Sequence, residues 1–407
     1  MKEKKGFKLG LIPRLIIAII GGYLVGTYLP EIFTKIAVTF STIFGSFLSF
    51  IIPLMILAFV SKGIADLGEG AGKLLGITVA ISYISTLIGG SLSYLMSANL
   101  FPKFISPDQV DKIVNAGGSG VEALFTVPLN PLLDVTGALV FAFLLGITVS
   151  WLRKQGKGEY IYNVLGEFNE IITKVLSSAI VPFLPFFIFG NFANMAVAGT
   201  VGAIMSIFIK IFICVIILHL LYVTVMFFVA SGYNKGNPIQ RIRNQVVGYI
   251  TAVGTQSSAA TIPVNTEVAK KNGVSRVIRD FVVPLCATVH MPGSMITITA
   301  CTFTILTLFG HNVTFLLLFK FIAILGIAMV AAPGAPGGAV MSALPFLSVV
   351  GLASDGPEAT LLISLYLTQD SFGTAANISG DNAIALIVDK YYQKNIIKRP
   401  VTAEENA

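Results

Sequence analysis

Residues 254–263 read GTQSSAATIP and interrupt a chain that is otherwise rich in apolar residues. With a glycine at its start and a proline at its end, this polar stretch is too broken to form a helix facing lipid. Basic residues lie on both sides of it, at Arg243 and Lys270. Because positive charge marks the cytoplasmic side of a membrane protein, both ends belong to one side. The pattern predicts a hairpin, residues 239–269, that enters the membrane and returns, with protein or a water-filled cavity around its tip.

The composition also indicates a membrane protein. Hydrophobic residues make up 55% of the 407 residues and charged residues 12%, whereas soluble domains are about a quarter charged. Apolar runs of the roughly 20-residue length needed to cross a bilayer recur along the chain. We predict spans at residues 12–30, 37–62, 73–98, 130–152, 170–199 and 203–231.

The net charge of +7 comes from basic residues grouped at the ends of the predicted spans. This distribution indicates orientation in the membrane and offers no basic patch for nucleic acid. We predict a multi-pass protein of the cell membrane, in contact with lipid, with both termini cytoplasmic. The cysteines, Cys214, Cys286 and Cys301, lie in apolar runs and predict neither a disulfide framework nor a metal-binding motif.

A second hairpin is predicted at residues 314–352, around the sequence AAPGAPGG at 331–338. Two prolines and three glycines there exclude a continuous helix. Each hairpin is followed by a span with an interruption, VHMPGS at 289–294 and NISGD at 377–381. A hairpin and a broken span, present twice with opposite orientation, predict an inverted-repeat transporter that binds its substrate near the membrane midplane.

The last predicted span carries the acidic residues expected to do the chemistry. Asp370, Thr374, Asn377 and Asp381 recur at helical spacing and predict one polar stripe. A carboxylate inside a membrane indicates a functional site, although a polar ladder between helices is the structural alternative. The span contains no lysine or arginine between these acids, so a substrate ammonium and a metal cation are the expected partners.

The first hairpin tip offers the opposite charge preference. Ser257 and Ser258 stand where a helix is broken, and the unpaired N–H groups of a broken helix favour an anion such as a carboxylate. The alternative is a tight turn of small residues. His290 is open to two interpretations, a packing residue or a proton relay.

Three stretches resemble the dicarboxylate/amino acid:cation symporter family, the glutamate and neutral amino acid transporters. They are TQSSAATIPVN at 255–265, ATVHMPG at 287–293, and the segment from Gln369 to Asp381. The first and last look most like the bacterial serine/threonine:sodium symporter branch. The resemblance implies an all-α integral membrane protein with eight transmembrane helices, two re-entrant hairpins and inverted repeats. It further implies a homotrimer that works by an elevator mechanism.

The resemblance also implies a division of the chain. Residues 1–67 are expected to form scaffold helices 1 and 2, and residues 68–127 transport-domain helix 3 with an extracellular loop. Residues 128–200 would form scaffold and trimerisation helices 4 and 5. Residues 201–390 would complete the transport domain with helix 6, hairpin 1, helix 7, hairpin 2 and helix 8, and residues 391–407 would be a cytoplasmic tail.

The implied substrate site places Asp370 at the α-amino group and Asn377 with Ser258 at the α-carboxylate. Thr374 and Ser294 would line the side-chain pocket, and Ala335 with Gly337 would close the second hairpin. The complete implied substrate set is Ser257, Ser258, Met291, Ser294, Gly334, Ala335, Gly337, Asp370, Gly373, Thr374 and Asn377.

The resemblance implies sodium binding at two places. Asp381 would bind one ion with carbonyls of Cys286, His290 and Asn377. A second ion would lie among carbonyls of Thr288, Met329, Val330 and Ala332, near the Met291 sulfur.

Departures from the family pattern predict the substrate and the coupling ion. Gly373 and Gln256 stand where members that carry acidic substrates have arginine, so a substrate side-chain carboxylate would be buried unpaired. We therefore expect a small neutral L-amino acid such as serine, threonine or alanine. The family motif NMDG reads HMPG at 290–293, which removes the oxygen ligands of a third ion. One or two sodium ions are expected, with protons through His290 or Asp370 as the alternative.

Other functions remain open at this stage. A larger neutral amino acid such as cystine would suit a pocket enlarged at Gly373. An anion-conducting or sensor protein with the same fold would use the same polar tips. No paired nucleophile and base is visible, so an enzyme is not expected.

Overall fold

The fold was obtained as a computed structural model, which describes residues 11–67, 72–106, 120–133, 135–329, 337–354 and 356–399. Within these ranges the regular structure is entirely helical. The first half contains α1 (Leu11–Tyr28), α2 (Glu31–Leu67), α3 (Gly72–Leu100), α4 (Val135–Lys154), α5 (Glu159–Val175), α6 (Val181–Val197) and α7 (Val201–Asn234). The second half contains α8 (Pro238–Thr255), α9 (Ser258–Lys271), α10 (Arg276–Val289), α11 (Pro292–Leu308), α12 (Phe315–Met329), α13 (Gly338–Ala343) and α14 (Pro357–Tyr391).

Five helical stretches in the described part are long and apolar enough to cross a bilayer. They are Glu31–Lys62, Leu74–Lys103, Glu159–Val197, Ile204–Asn234 and Arg276–Leu308. At a rise of about 1.5 Å per residue, each exceeds the hydrocarbon thickness of a membrane. A multi-pass membrane protein follows, whereas the expected total of eight spans stays a prediction.

The helix that was expected at 170–199 begins earlier, at Glu159. A π-helical turn, Leu176–Ile180, joins α5 to α6 without a break in the helix. Hydropathy misses the part of α5 before residue 170 because only one side of the helix is apolar, with Leu165 buried and charged residues on the other side.

Helices α1, α2, α4, α5 and α6 pack mainly on one another, and α14 packs on α3 and on α7 to α11. The approach of α1 to α6 is close enough to require glycine. A Cβ at Gly26 would lie 2.1 Å from the Ala193 carbonyl oxygen, so the two backbones touch as in small-residue contacts between membrane helices.

At the first predicted hairpin, α8 and α9 pack side by side around a break at Gln256 and Ser257. Gln256 has φ +53°, and Ser257 is extended. Ser257 Oγ accepts a hydrogen bond from the Ala260 N–H at 3.2 Å, which caps α9. The break therefore turns the chain, and Ser257 caps one N–H group of the new helix.

In the second predicted hairpin, α12 occupies the first arm. The second arm is α13 continued by a 3₁₀ segment, Leu344–Val350. Residues 331–336 of the predicted tip at 331–338 lie outside the described residues, and so do the predicted site residues Val330, Ala332, Gly334 and Ala335.

The interruption predicted at 289–294 is found, since α10 ends at Val289 and α11 begins at Pro292. His290 is extended, with φ −111° and ψ 101°, and Pro292 occupies the first turn, where its missing N–H is harmless.

The interruption predicted at 377–381 is wrong, because α14 is a single helix from Pro357 to Tyr391. This segment has no proline, so every backbone N–H can remain in the helix. Gly380 serves close packing instead, since a Cβ there would lie 2.5 Å from Cε1 of the His290 ring. Nearly every side chain from Ala359 to Asp389 is buried, so the polar residues of α14 face protein and not lipid.

Candidate functional site

The continuous helix α14 places Asp370, Thr374, Asn377 and Asp381 on one stripe, and all four side chains are at most 5% exposed. The stripe faces the break between α10 and α11. It also faces Gly337, at the start of the second arm of the second predicted hairpin. The spacing in the sequence therefore gives the correct face, and the break supplies polar backbone to it.

Asp370 is held from two directions by neutral donors. The Tyr366 hydroxyl donates to Oδ1 at 2.8 Å, and the Gly337 backbone N–H donates to Oδ2 at 2.7 Å. Thr374 also hydrogen-bonds this carboxyl group. Among the described residues no lysine or arginine forms an ion pair with Asp370. A cationic group would therefore complete this buried carboxylate.

Asn377 caps the broken helix. Its Oδ1 accepts hydrogen bonds from the N–H groups of Gly293 at 2.8 Å and Ser294 at 3.3 Å, and its Nδ2 donates to Ser294 Oγ at 3.0 Å. These are N–H groups that a helix start leaves unpaired. Asn377 thus joins α14 to the first turn of α11.

Asp381 lies against the side chain of His290. His290 Nδ1 is 2.9 Å from Asp381 Oδ1, and His290 Nε2 is 2.9 Å from Ser85 Oγ. The second carboxylate oxygen, Oδ2, is buried and has no hydrogen-bond partner among the described residues. An orphaned carboxylate oxygen in a dry interior suits a hard cation.

Helix α3 contributes hydroxyl groups that the sequence interpretation did not include. Besides Ser85, Ser82 Oγ lies 3.6 Å from Cys286 Sγ, and Thr86 Oγ1 accepts from the Met291 N–H at 3.3 Å. These residues sit in an ordinary apolar span, and only their packing against the break reveals them.

The remaining predicted cation ligands are placed in different ways. The Cys286 carbonyl already accepts the His290 N–H at 2.9 Å. The Thr288 side chain is exposed and bonds the Leu285 carbonyl, whereas Met291 and Met329 are buried. The described residues contain no group of three or more His, Cys, Asp and Glu that could hold a metal ion.

At the first hairpin, Ser258 is 7% exposed in the first turn of α9. The hairpin is fixed to α14 by Asn265, whose Nδ2 donates to the Ile378 carbonyl at 2.8 Å. Asn265 Oδ1 accepts from Gln245 and Asn382, each at 2.9 Å. This buried amide cluster was not foreseen from the sequence, because amides give no periodic signal.

Gly373 lies against the start of α11. A Cβ at Gly373 would meet the Gly293 and Ser294 backbone at 3.5 Å, an ordinary contact. A Cβ at Gly293 would lie 2.3 Å from the Gly373 carbonyl oxygen. The two backbones therefore touch, and glycine is required on the α11 side.

A sequence profile described as the sodium:dicarboxylate symporter family matches residues 11–391. The chain belongs to the sodium:dicarboxylate symporter family. The resemblance inferred from the three sequence stretches is thereby confirmed, and the protein is a membrane symporter of a family associated with sodium coupling.

Similar proteins include the serine/threonine transporter SstT of Acinetobacter baylyi (strain ATCC 33305 / BD413 / ADP1). It is 26% identical over 94% of this chain and 98% of its own length. The protein of the same name from Streptococcus thermophilus (strain CNRZ 1066) is 24% identical over 93% of this chain and 96% of its own length. The protein of that name from Acinetobacter baumannii (strain AYE) is 25% identical over 95% of this chain and 98% of its own length. The symporter thus matches these transporters over nearly its whole length.

Proposed function

We propose that this symporter couples the inward movement of sodium to the uptake of a small neutral L-amino acid, serine, threonine or alanine. The carrying observation is the environment of Asp370, a buried carboxylate whose hydrogen-bond donors are all neutral. A substrate ammonium is the cation that compensates such a carboxylate. A dicarboxylate without an amine would place one anion against another.

The residues at positions 373 and 256 support a substrate with a neutral side chain. Position 373 is glycine packed on the start of α11, and position 256 at the first tip is glutamine. Neither can pair with a second carboxylate, and burying one unpaired costs several kcal/mol. The proteins to which the chain is similar are named serine/threonine transporters, which supports the same substrate class.

The α-carboxylate is assigned to the broken helix ends. Ser257 and Ser258 stand at the start of α9, and helix starts present N–H groups that favour an anion. Asn377 would contribute its amide from α14. A zwitterion would then lie between Asp370 and the first hairpin tip, with Thr374 and Ser294 beside its side chain.

The cation is assigned to Asp381. Its Oδ2 is buried and lacks a partner among the described residues, and we propose that backbone carbonyls of the break at His290 and Met291 complete the site. Sodium sites of broken membrane helices use such carbonyls. One or two sodium ions are proposed, the second near Thr288, Met291 and Met329.

The packing pattern supports an elevator. Helices α1, α2 and α4 to α6 form one group, which corresponds to the proposed scaffold at 1–67 and 128–200. Helices α3 and α7 to α14 form the other, which corresponds to the proposed transport domain. Movement of the second group along the first, in a homotrimer with cytoplasmic termini, would carry the site across the membrane.

Purified protein in liposomes tests the proposal. With an inward sodium gradient, labelled serine, threonine or alanine should accumulate above its external concentration, and Asp370→Asn should abolish this. Uptake of aspartate without serine would refute the substrate. Accumulation driven by a proton gradient alone would replace sodium by protons, and equilibration without accumulation would indicate a channel or sensor.

A further inference from the structure

Tyr366 is a fully buried tyrosine one helical turn before Asp370 on α14, and it is 0% exposed. Its hydroxyl oxygen lies 2.8 Å from Asp370 Oδ1 and 3.0 Å from Ser294 Oγ. Burying a phenol costs free energy unless the hydroxyl is hydrogen-bonded. Tyr366 meets this condition through two residues of the substrate site.

The direction of these hydrogen bonds can be derived by counting protons. An ionised carboxylate only accepts, so the single phenol proton points to Asp370. The Ser294 hydroxyl must then donate to the phenol oxygen. Ser294 Oγ in turn accepts from Asn377 Nδ2 at 3.0 Å. A directed chain therefore runs from Asn377 through Ser294 and Tyr366 to Asp370.

This chain joins the two ends of the proposed substrate site. Asn377 is assigned to the α-carboxylate and Asp370 to the ammonium. Every donor in the chain points toward Asp370, which stabilises its negative charge. With Oδ1 held by the phenol, Oδ2 is directed toward the second hairpin, where Gly337 bonds it.

We propose that Tyr366 is a positioning residue that orients Asp370 for the substrate ammonium, an assignment that rests on the proposed function. The phenol proton is committed to Asp370, and its oxygen accepts from Ser294. Tyr366 therefore acts on the part that all α-amino acids share and not on the side chain. Removal of the Tyr366 hydroxyl should weaken the binding of serine, threonine and alanine by the same factor.

The test compares Tyr366→Phe with the unaltered chain, both as purified full-length protein in detergent with saturating sodium. The dissociation constants of serine, threonine and alanine are measured by calorimetry. Loss of a hydrogen bond to a charged group corresponds to a rise of about tenfold or more. We expect this rise for all three amino acids, with the concentration of sodium that gives half-maximal thermal stabilisation in the absence of amino acid unchanged.

Tyr83→Phe is the matched control. The Tyr83 hydroxyl donates to the Ala323 carbonyl at 3.0 Å on α12, away from the stripe. The Tyr83→Phe variant also loses one phenol hydrogen bond. Its dissociation constants for serine, threonine and alanine should stay within twofold of those of the unaltered chain.

The outcomes separate the alternatives. A loss confined to serine and threonine would mean that the phenol contacts the substrate hydroxyl, and would overturn the positioning role. A lower melting temperature with unchanged dissociation constants would reduce Tyr366 to packing. If Tyr366→Phe does not fold, Tyr366→Met takes its place, because methionine also lacks the hydroxyl and its flexible side chain adapts to irregular packing. It should raise the dissociation constants of all three amino acids together, and unequal losses would overturn the assignment.

Failure of the proposed function is seen separately. If the unaltered chain binds none of the three amino acids, the proposed function is overturned and this assignment with it. If the unaltered chain binds them and Tyr366→Phe binds them equally well, only the role of Tyr366 is overturned.

Discussion

Gly337 and Asp370 are joined by a hydrogen bond in which the Gly337 N–H donates to Asp370 Oδ2 over 2.7 Å. Gly337 lies directly before α13, the second arm of the second predicted hairpin, and Asp370 lies on α14. The proposed gate and the proposed ammonium ligand are therefore in direct contact. If the substrate ammonium binds at Oδ2, as proposed, its binding and the position of the hairpin arm are expected to be coupled.

Gly337→Ala should weaken substrate binding. Gly337 has φ +77°, and a Cβ there would lie 3.1 Å from Leu367 Cδ2, so alanine costs about 1–2 kcal/mol in this backbone region. Gly351→Ala is the control, because Gly351 has φ +81° in the same hairpin with nothing within 4 Å. Both variants should lose similar stability in thermal unfolding, and only Gly337→Ala should raise the dissociation constant for serine. Equal effects on serine binding would disconnect the hairpin from the site.

Asp381→Asn should reduce the stabilisation of the protein by sodium. The substitution keeps the shape of the side chain and removes the negative charge of the carboxylate. The Oδ2 atom of that carboxylate has no partner among the described residues. Sodium bound at Asp381 adds RT ln(1 + [Na⁺]/Kd) to the free energy of unfolding, so the rise in melting temperature with sodium should shrink by this contribution. Asp389→Asn is the control, because Asp389 is also buried on α14 but accepts from the Ser275 hydroxyl and N–H. A sodium-dependent rise as large in Asp381→Asn as in the unaltered chain would show that Asp381 does not bind the ion.

Gly293→Ala should destabilise the contact between α11 and α14. The added Cβ would lie 2.3 Å from the Gly373 carbonyl oxygen and 2.7 Å from Ala376 Cβ, and overpacking of this kind costs roughly 1–3 kcal/mol. Gly373→Ala, with its nearest atoms at 3.5 Å, should leave the melting temperature nearly unchanged. The reverse order of the two melting temperatures would show that the helices do not pack as described.

Asn265→Ala should loosen the first hairpin from α14. Asn265 bonds the Ile378 carbonyl and two further amides in a buried cluster, and each buried group left unsatisfied costs about 1–3 kcal/mol. Hydrogen exchange of residues 239–269 should accelerate relative to that of α2. Thr251→Ala, a half-buried change on the same hairpin whose hydroxyl bonds the Val247 carbonyl of its own helix, should leave the exchange unchanged. Slow exchange in Asn265→Ala would assign the attachment of the hairpin to other contacts.

The sequence by itself determined the features that depend on neighbouring residues. Hydrophobic runs indicate membrane spans because lipid excludes polar backbone. The breaks at Gln256 and at His290 were predicted because proline, glycine and serine end helices locally. The helical period also placed Asp370 and Asp381 on one stripe.

The tertiary structure alone decided which side chains meet that stripe. Tyr366 and Ser85 resemble ordinary buried residues in the sequence, and His290 was open between packing and proton transfer. Gly380 was interpreted as part of a break, yet it makes room for the His290 ring in a continuous helix. Such contacts join residues as distant as 205 positions along the chain, as Ser85 and His290 show. They follow from how helices pack against each other, which local sequence patterns do not encode.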